Sequence, residues 1–224
     1  MIKAVLLDID NTLLDFNQSA ALAMEETFAE HRLPFAKENF YTFKSVNDSL
    51  WLKIESGELT RAELHATRFN IILGKLGLSY DGTAVEKSFL ANLNHCAVKV
   101  DGAEELLSYL AAKYVLCTAS NAPTVQNKTR LRYSGLNKYF THEFVSEEIG
   151  YAKPDPRFFD VCFGVLSPID RKETVMIGDS LTADVAGAVN YGIKTVWFNR
   201  GEINKVPPKG VTEVKKLADI EKIL

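Results

Sequence analysis

Residues 1–16 read MIKAVLLDIDNTLLDF, and this stretch decides the fold. Apart from Lys3, the run up to Leu7 is apolar; it then meets two carboxylates, Asp8 and Asp10, spaced two residues apart. A short continuous apolar run suits a strand buried on both faces of a parallel sheet. The first strand is read over 4–9, and three further runs of the same kind follow at 114–118, 174–177 and 194–198, with a weaker one at 144–146. Helical patterns separate them at 103–113, 123–133, 156–166 and 181–191, the last closed by Gly192 as a C-cap. Strand–helix alternation implies right-handed βαβ units.

The stretch between the first strand and about residue 98 reads differently. Its patterns are helical throughout, at 18–31, 38–54, 60–76 and 83–95, and Thr60 with Glu63 fits a capping box. The expected organisation is therefore an α/β core from residues 1–15 and 99–224, with a helical block, residues 16–98, inserted after the first strand. Residues 205–210, with Pro207 and Pro208, read as a surface loop before a short final helix.

Bulk properties exclude several classes. The hydrophobic fraction of 46% fills a core, yet no apolar run is long enough to span a membrane. The residues between Lys3 and Asp8 are too few for the apolar part of a secretory signal. A net charge of −3 argues against a nucleic-acid binder, because duplex affinity rests on neutralising phosphates. Cys96, Cys117 and Cys162 are odd in number and widely spaced, as free thiols in a reducing compartment are. The expectation is a cytoplasmic protein with no nucleic-acid or membrane partner.

In an open α/β sheet, ligands bind outside the C-terminal ends of the strands. Asp8 and Asp10 end the first strand, and period-two alternation sets both on one side. Ser120 and Asn121 follow the strand at 114–118. Asp179 and Ser180 follow the strand at 174–177, with Asp184 one helical turn on. Lys153 precedes the helix at 156–166. Carboxylates gathered in one crevice repel one another and raise their own pKa values. A divalent cation removes that conflict, and an oxygen-only donor set favours Mg²⁺ together with a substrate phosphate. A carboxylate can attack phosphorus to form an aspartyl phosphate. A second carboxyl can protonate the leaving group and then activate water. Ser120, Asn121, backbone amides and Lys153 can hold the phosphoryl oxygens.

Asp8-Ile9-Asp10-Asn11-Thr12, then Ser120-Asn121, Lys153-Pro154 and Gly178-Asp179-Ser180 with Asp184, resemble the four ordered motifs of the haloacid dehalogenase-like superfamily. The resemblance implies a Rossmann-like parallel sheet with an inserted helical cap. It implies that Asp8 is nucleophile and metal ligand, and that Asp10 is general acid/base with its backbone carbonyl on the metal. Asp179 becomes the third protein ligand of Mg²⁺, Asp184 stands behind the ligands, and Lys153 neutralises Asp8 and the phosphate. Ser120-Asn121-Ala122 departs from the more usual Thr-Asn-Gly but keeps the hydroxyl; Thr118 is a rival for that role inside the strand.

The segments YTFKSVNDSLW at 41–51, Arg68-Phe69 and SEEIGYAKP at 146–154 further resemble pyrimidine 5′-nucleotidases. The expected substrate is then a small phosphate monoester, a nucleoside monophosphate first. An apolar, aromatic cap that closes over the crevice suits a flat base, and Phe16 and Trp51 are the candidate specificity residues, with packing inside the cap as their competing role. A phosphosugar phosphatase, or a phosphosugar mutase of the same superfamily, is the alternative enzyme. A binding protein that retained the fold is the non-enzymatic one.

Overall fold

Ala4–Leu7 forms β1, every residue of it buried, at the centre of a six-stranded sheet. The computed structural model describes residues 1–201 and 203–224. The other strands are β2 Val115–Ser120, β3 His142–Val145, β4 Thr174–Gly178, β5 Lys194–Phe198 and β6 Thr212–Val214. Their order is β3-β2-β1-β4-β5-β6 and every pairing is parallel. The chain builds outward from β1 to β3, then returns to lay β4 on the other side of β1. The reversal opens a crevice between β1 and β4 at their C-terminal ends, where α/β sheets bind ligands. The register Leu7↔Thr118 and Leu7↔Ile177 brings the three central strands to a common end.

By its own contacts the chain divides into two compact units, residues 1–15 with 98–224, and residues 16–97. The second unit contains four helices: α1 Phe16–Glu30, α2 Asn39–Glu55, α3 Arg61–Lys75 and α4 Gly82–Asn94. Thr60 caps α3 in a reciprocal box with Glu63, satisfying two otherwise orphaned backbone donors. The aromatic rings of Phe43, Phe69 and Phe89 meet at the centre of this unit, with centroids 5.1–6.0 Å apart. A buried arginine sits among them. Arg68 donates to both oxygens of Glu86 at 2.6 and 3.1 Å and to Asn47 Oδ1 at 2.9 Å, and its guanidinium lies 4.9 Å from the Phe89 ring centre.

In the first unit the sheet is flanked by α5 Ala103–Ala111, α6 Thr124–Ser134, α7 Ser146–Ile149, α8 Pro156–Leu166 and α9 Ala186–Tyr191. Pro156 opens α8 at its first turn, where its missing N–H costs nothing, and Asp155 caps that helix through Arg157 N at 2.9 Å. Cys117 and Cys162 lie buried in the core on one side of the sheet, and all three cysteines are free thiols. Among the described residues, no helix is long and apolar enough to cross a membrane.

Candidate active site

β1 stops at Leu7, so Asp8 and Asp10 lie beyond the strand in a tight turn, and strand alternation does not orient them. Asp8 N donates to Ile177 O at 2.9 Å, which ties the start of the turn to β4. The amides of Leu13 and Leu14 both reach Ile9 O at 2.9 Å, and Asn11 takes a left-handed conformation at φ 62°, which asparagine tolerates. The two carboxyls diverge as a result. Asp8 turns into the crevice toward Lys153, and Asp10 turns to Arg130 of α6.

Lys153 is 2% exposed and its amine is held by three oxygens. It donates to Asp8 Oδ1 at 2.9 Å, to Asp184 Oδ1 at 2.6 Å and to Ala119 O. Asn121 fixes the Lys153 main chain from both ends of its amide: its Nδ2 donates to Lys153 O at 2.9 Å and its Oδ1 accepts from Lys153 N at 3.0 Å. The Asn121 side chain, expected at a phosphate, therefore serves first to place Lys153. Ser120, at the end of β2, is 1% exposed, and its Oγ accepts from Ala122 N at 3.1 Å. The rival Thr118 is fully buried within β2, in register with Leu7.

Asp179 follows β4, and its carbonyl accepts from Trp197 Nε1 at 2.9 Å. Beyond it the chain turns through five residues of π-helix, Leu181–Val185, before α9 begins. The wider turn carries Asp184 back to Ser180, whose amide donates to Asp184 Oδ2 at 3.0 Å. Gly178 is required by this approach, since a Cβ there would stand 2.7 Å from Asp184 Cβ and overlap its carboxyl. Asp8, Asp179 and Asp184 thus offer carboxylate oxygens within 4.8 Å of one another. Asp184 has both oxygens engaged, one by Lys153 and one by Ser180 N, as a carboxylate that orients its neighbours has. The Asp10 carboxyl is not in this group.

The electrostatics follow from crowding. Burial pushes the Asp8 carboxyl up to about 7 despite Lys153, with Asp184 and Asp10 adding to the rise. Burial, Asp8 and Asp184 likewise hold Asp179 well above the ordinary carboxylate range. Burial acts to lower the Lys153 pKa, but Asp184 and Asp8 outweigh it and hold the amine charged. Three carboxylates against one amine form an oxygen-only group short of positive charge, which is the donor set a hard divalent cation takes.

Of the residues picked out in the sequence, Asp8, Lys153, Asp179 and Asp184 converge through side chains. Asp10, Ser120 and Asn121 adjoin them through the same loops. Phe16 and Trp51 belong to the helical unit, where each is partly buried against that unit's apolar core. Arg130 was not anticipated. Its signal lies in α6, whose buried residues include Gln126, Asn127 and Arg130 where a helix packed on a sheet ordinarily buries apolar ones.

A sheet ordered around β1, with a carboxylate after β1, another after β4 and a buried lysine between them, defines a class. The chain belongs to the haloacid dehalogenase-like hydrolase family, whose model matches residues 2–192. It is 34% identical over 223 residues to the HAD-hydrolase YfnB of Bacillus subtilis (strain 168), covering 99% of this chain and 95% of that protein. The crystal structure of YfnB bound to magnesium superposes with a TM-score of 0.93, covering 100% of this chain and 98% of that one. The pyrimidine 5′-nucleotidase PynA of Streptococcus pneumoniae (strain ATCC BAA-255 / R6) is 33% identical, over 88% of this chain and 84% of that protein. The pyrimidine 5′-nucleotidase YjjG of Escherichia coli (strain K12) is 26% identical, over 98% and 96%. Relatives at 28% identity from Pyrococcus species are named glyceraldehyde 3-phosphate phosphatase.

Proposed function

We propose that this chain is a cytoplasmic phosphomonoesterase that works through an aspartyl phosphate on Asp8, with nucleoside monophosphates as substrates and Mg²⁺ as cofactor. The observation that carries the reading is the setting of Asp8. It stands at the crevice end of the central strand, 2.9 Å from a buried amine and within a group of three carboxylates. An ionised carboxylate held there is a nucleophile aimed by Lys153, and Lys153 also offers charge to the incoming phosphoryl oxygens.

An oxygen of Asp8 attacks phosphorus, the ester P–O bond breaks, and the departing alkoxide takes a proton from Asp10. Water then attacks the phosphorus of the aspartyl phosphate and gives a proton to Asp10. Inorganic phosphate leaves and Asp8 returns as a carboxylate. Ser120 and the amides beside Asn121 steady the phosphoryl oxygens, and Asn121 keeps Lys153 in place. Asp8, Asp179 and the backbone carbonyl of Asp10 would hold the cation, with Asp184 orienting them. When bound it supplies Lewis-acid neutralisation of the phosphoryl charge.

Similarity to PynA and YjjG supports pyrimidine nucleoside monophosphates as the first choice. Selection of the base is assigned to the helical unit, with Phe16 and Trp51 as candidate contacts. The Pyrococcus relatives support a phosphosugar substrate as the second reading. A phosphate-release panel separates them. The nucleotidase reading expects the highest kcat/KM on UMP, dUMP or CMP. Higher kcat/KM on glyceraldehyde 3-phosphate or hexose phosphates overturns it, and turnover that requires an added bisphosphate marks a mutase.

A further inference from the structure

The site contains two separate cation–carboxylate systems. Lys153 serves Asp8 and Asp184. The second system joins Arg130 Nη1 to Asp10 Oδ1, between residues 120 positions apart in the chain. Arg130 is 1% exposed and sits in the second turn of α6, the helix that follows the Ser120-Asn121 loop. A guanidinium stays charged inside a protein, and burying one is costly unless a carboxylate meets it. Asp10 is that carboxylate, and its side chain keeps 25% of its surface open.

The bond engages one oxygen of Asp10, Oδ1. A guanidinium has only hydrogens to offer, so the oxygen it holds is an acceptor throughout. When Asp10 carries a proton, that proton resides on Oδ2, and the carboxyl is fixed at Oδ1 by a rigid group. We propose that Arg130 is a positioning residue for proton transfer: it anchors Asp10 by Oδ1 so that Oδ2 delivers the proton to the leaving oxygen and later takes one from water. The proposal rests on the phosphomonoesterase reading and adds to it a device that sets which oxygen of the acid does the work. Without the anchor, the Asp10 side chain samples other rotamers, and small misplacements of a reacting group cost about 10²-fold.

The test is leaving-group dependence in a double-mutant cycle. Steady-state kcat and KM are measured with UMP and with p-nitrophenyl phosphate for wild type, Arg130→Gln, Asp10→Asn and the double variant. Circular dichroism confirms that each is folded. The expected result is a fall in kcat of at least about 10-fold for Arg130→Gln on UMP, with a smaller fall on the aryl ester, whose leaving group needs less protonation. KM should hold within about 2-fold, and Arg130→Gln should cost less than about 2-fold when added to Asp10→Asn. If Arg130→Gln does not fold, Arg130→Lys, which keeps the charge without the planar fork, is read by the same criteria. Equal losses on both substrates, or the same loss with and without Asp10, overturn the proposal while leaving Asp10 as the acid. If Asp10→Asn itself lowers both substrates equally, Asp10 is not the acid, and both readings fall together.

Discussion

Lys153→Met removes the one cation from the group of carboxylates and leaves a side chain of similar reach. The wild-type amine holds Asp8 Oδ1 at 2.9 Å and Asp184 Oδ1 at 2.6 Å. Its loss strands Asp8, 8% exposed, beside Asp184, 1% exposed. Breaking a buried pair by removing one partner costs about 3–5 kcal/mol. For a chain of this size 1 kcal/mol shifts Tm by roughly 2–4 °C, so the variant should melt about 6–20 °C below wild type. The assay is thermal unfolding followed by circular dichroism at about pH 8 in EDTA, then with excess MgCl₂. A divalent ion among the same carboxylates restores positive charge, so the variant should gain more from Mg²⁺ than wild type does. A Tm in EDTA within about 2 °C of wild type, or an equal gain from Mg²⁺ in both proteins, would refute the argument that these carboxylates depend on Lys153.

Stability without metal should fall as pH rises. A carboxyl raised in the fold binds its proton more tightly there than in the unfolded chain, so the contribution of Asp8 is present at low pH and lost between its ordinary 3.8 and about 7. Asp179 acts in the same direction, and the gain in Tm from Mg²⁺ should therefore grow from pH 5 to pH 8; a gain independent of pH contradicts this. Gly178→Ala should displace Asp184 and lower kcat, with a Tm loss of a few degrees, because its Cβ would meet the Asp184 carboxyl. Unchanged kcat and Tm would mean that the turn absorbs the methyl. In the helical unit, Glu86→Ala leaves Arg68 buried without its carboxylate and should cost about 3–5 kcal/mol in urea unfolding. A loss under about 1 kcal/mol would show that Asn47 and the surrounding rings suffice for Arg68.

The strands were legible because a buried parallel strand needs an unbroken apolar run. Residues 4–7, 115–118, 174–178 and 194–198 carry one, and the weak signal at 144–146 marks the end of β3. β6 escaped because Thr212–Val214 is a three-residue edge strand with one buried side chain. The final helix was read from the sequence, and Leu217–Lys222 is a 3₁₀ turn. The segment 181–191 carries one helical period but splits into a π-turn and α9, since Asp184 must fold back onto Ser180 N and Lys153. That demand comes from a residue far away in the chain. The divergence of Asp8 and Asp10 was hidden for a different reason: alternation applies within a strand, and β1 ends at Leu7, before either of them. Arg130 was missed because its partner is 120 residues away, and a lone arginine in a helical pattern reads as a solvated one. Asn121 was legible as a residue at the loop, but its grip on the Lys153 backbone was not.

The central claim is that Asp8 carries the phosphoryl group between substrate and water. Wild-type protein is mixed with UMP and Mg²⁺, quenched in acid within one turnover, and digested for mass spectrometry. A phosphoryl group is expected on the peptide that contains Asp8, formed no slower than the nucleoside is released and lost no slower than phosphate appears. Borohydride treatment of the quenched protein should reduce the aspartyl phosphate at Asp8 to homoserine, since borohydride reduces acyl phosphates to alcohols. Phosphate release at the same rate with Asp8 unmodified at every time point, or a phosphoryl group on another side chain, would contradict the account.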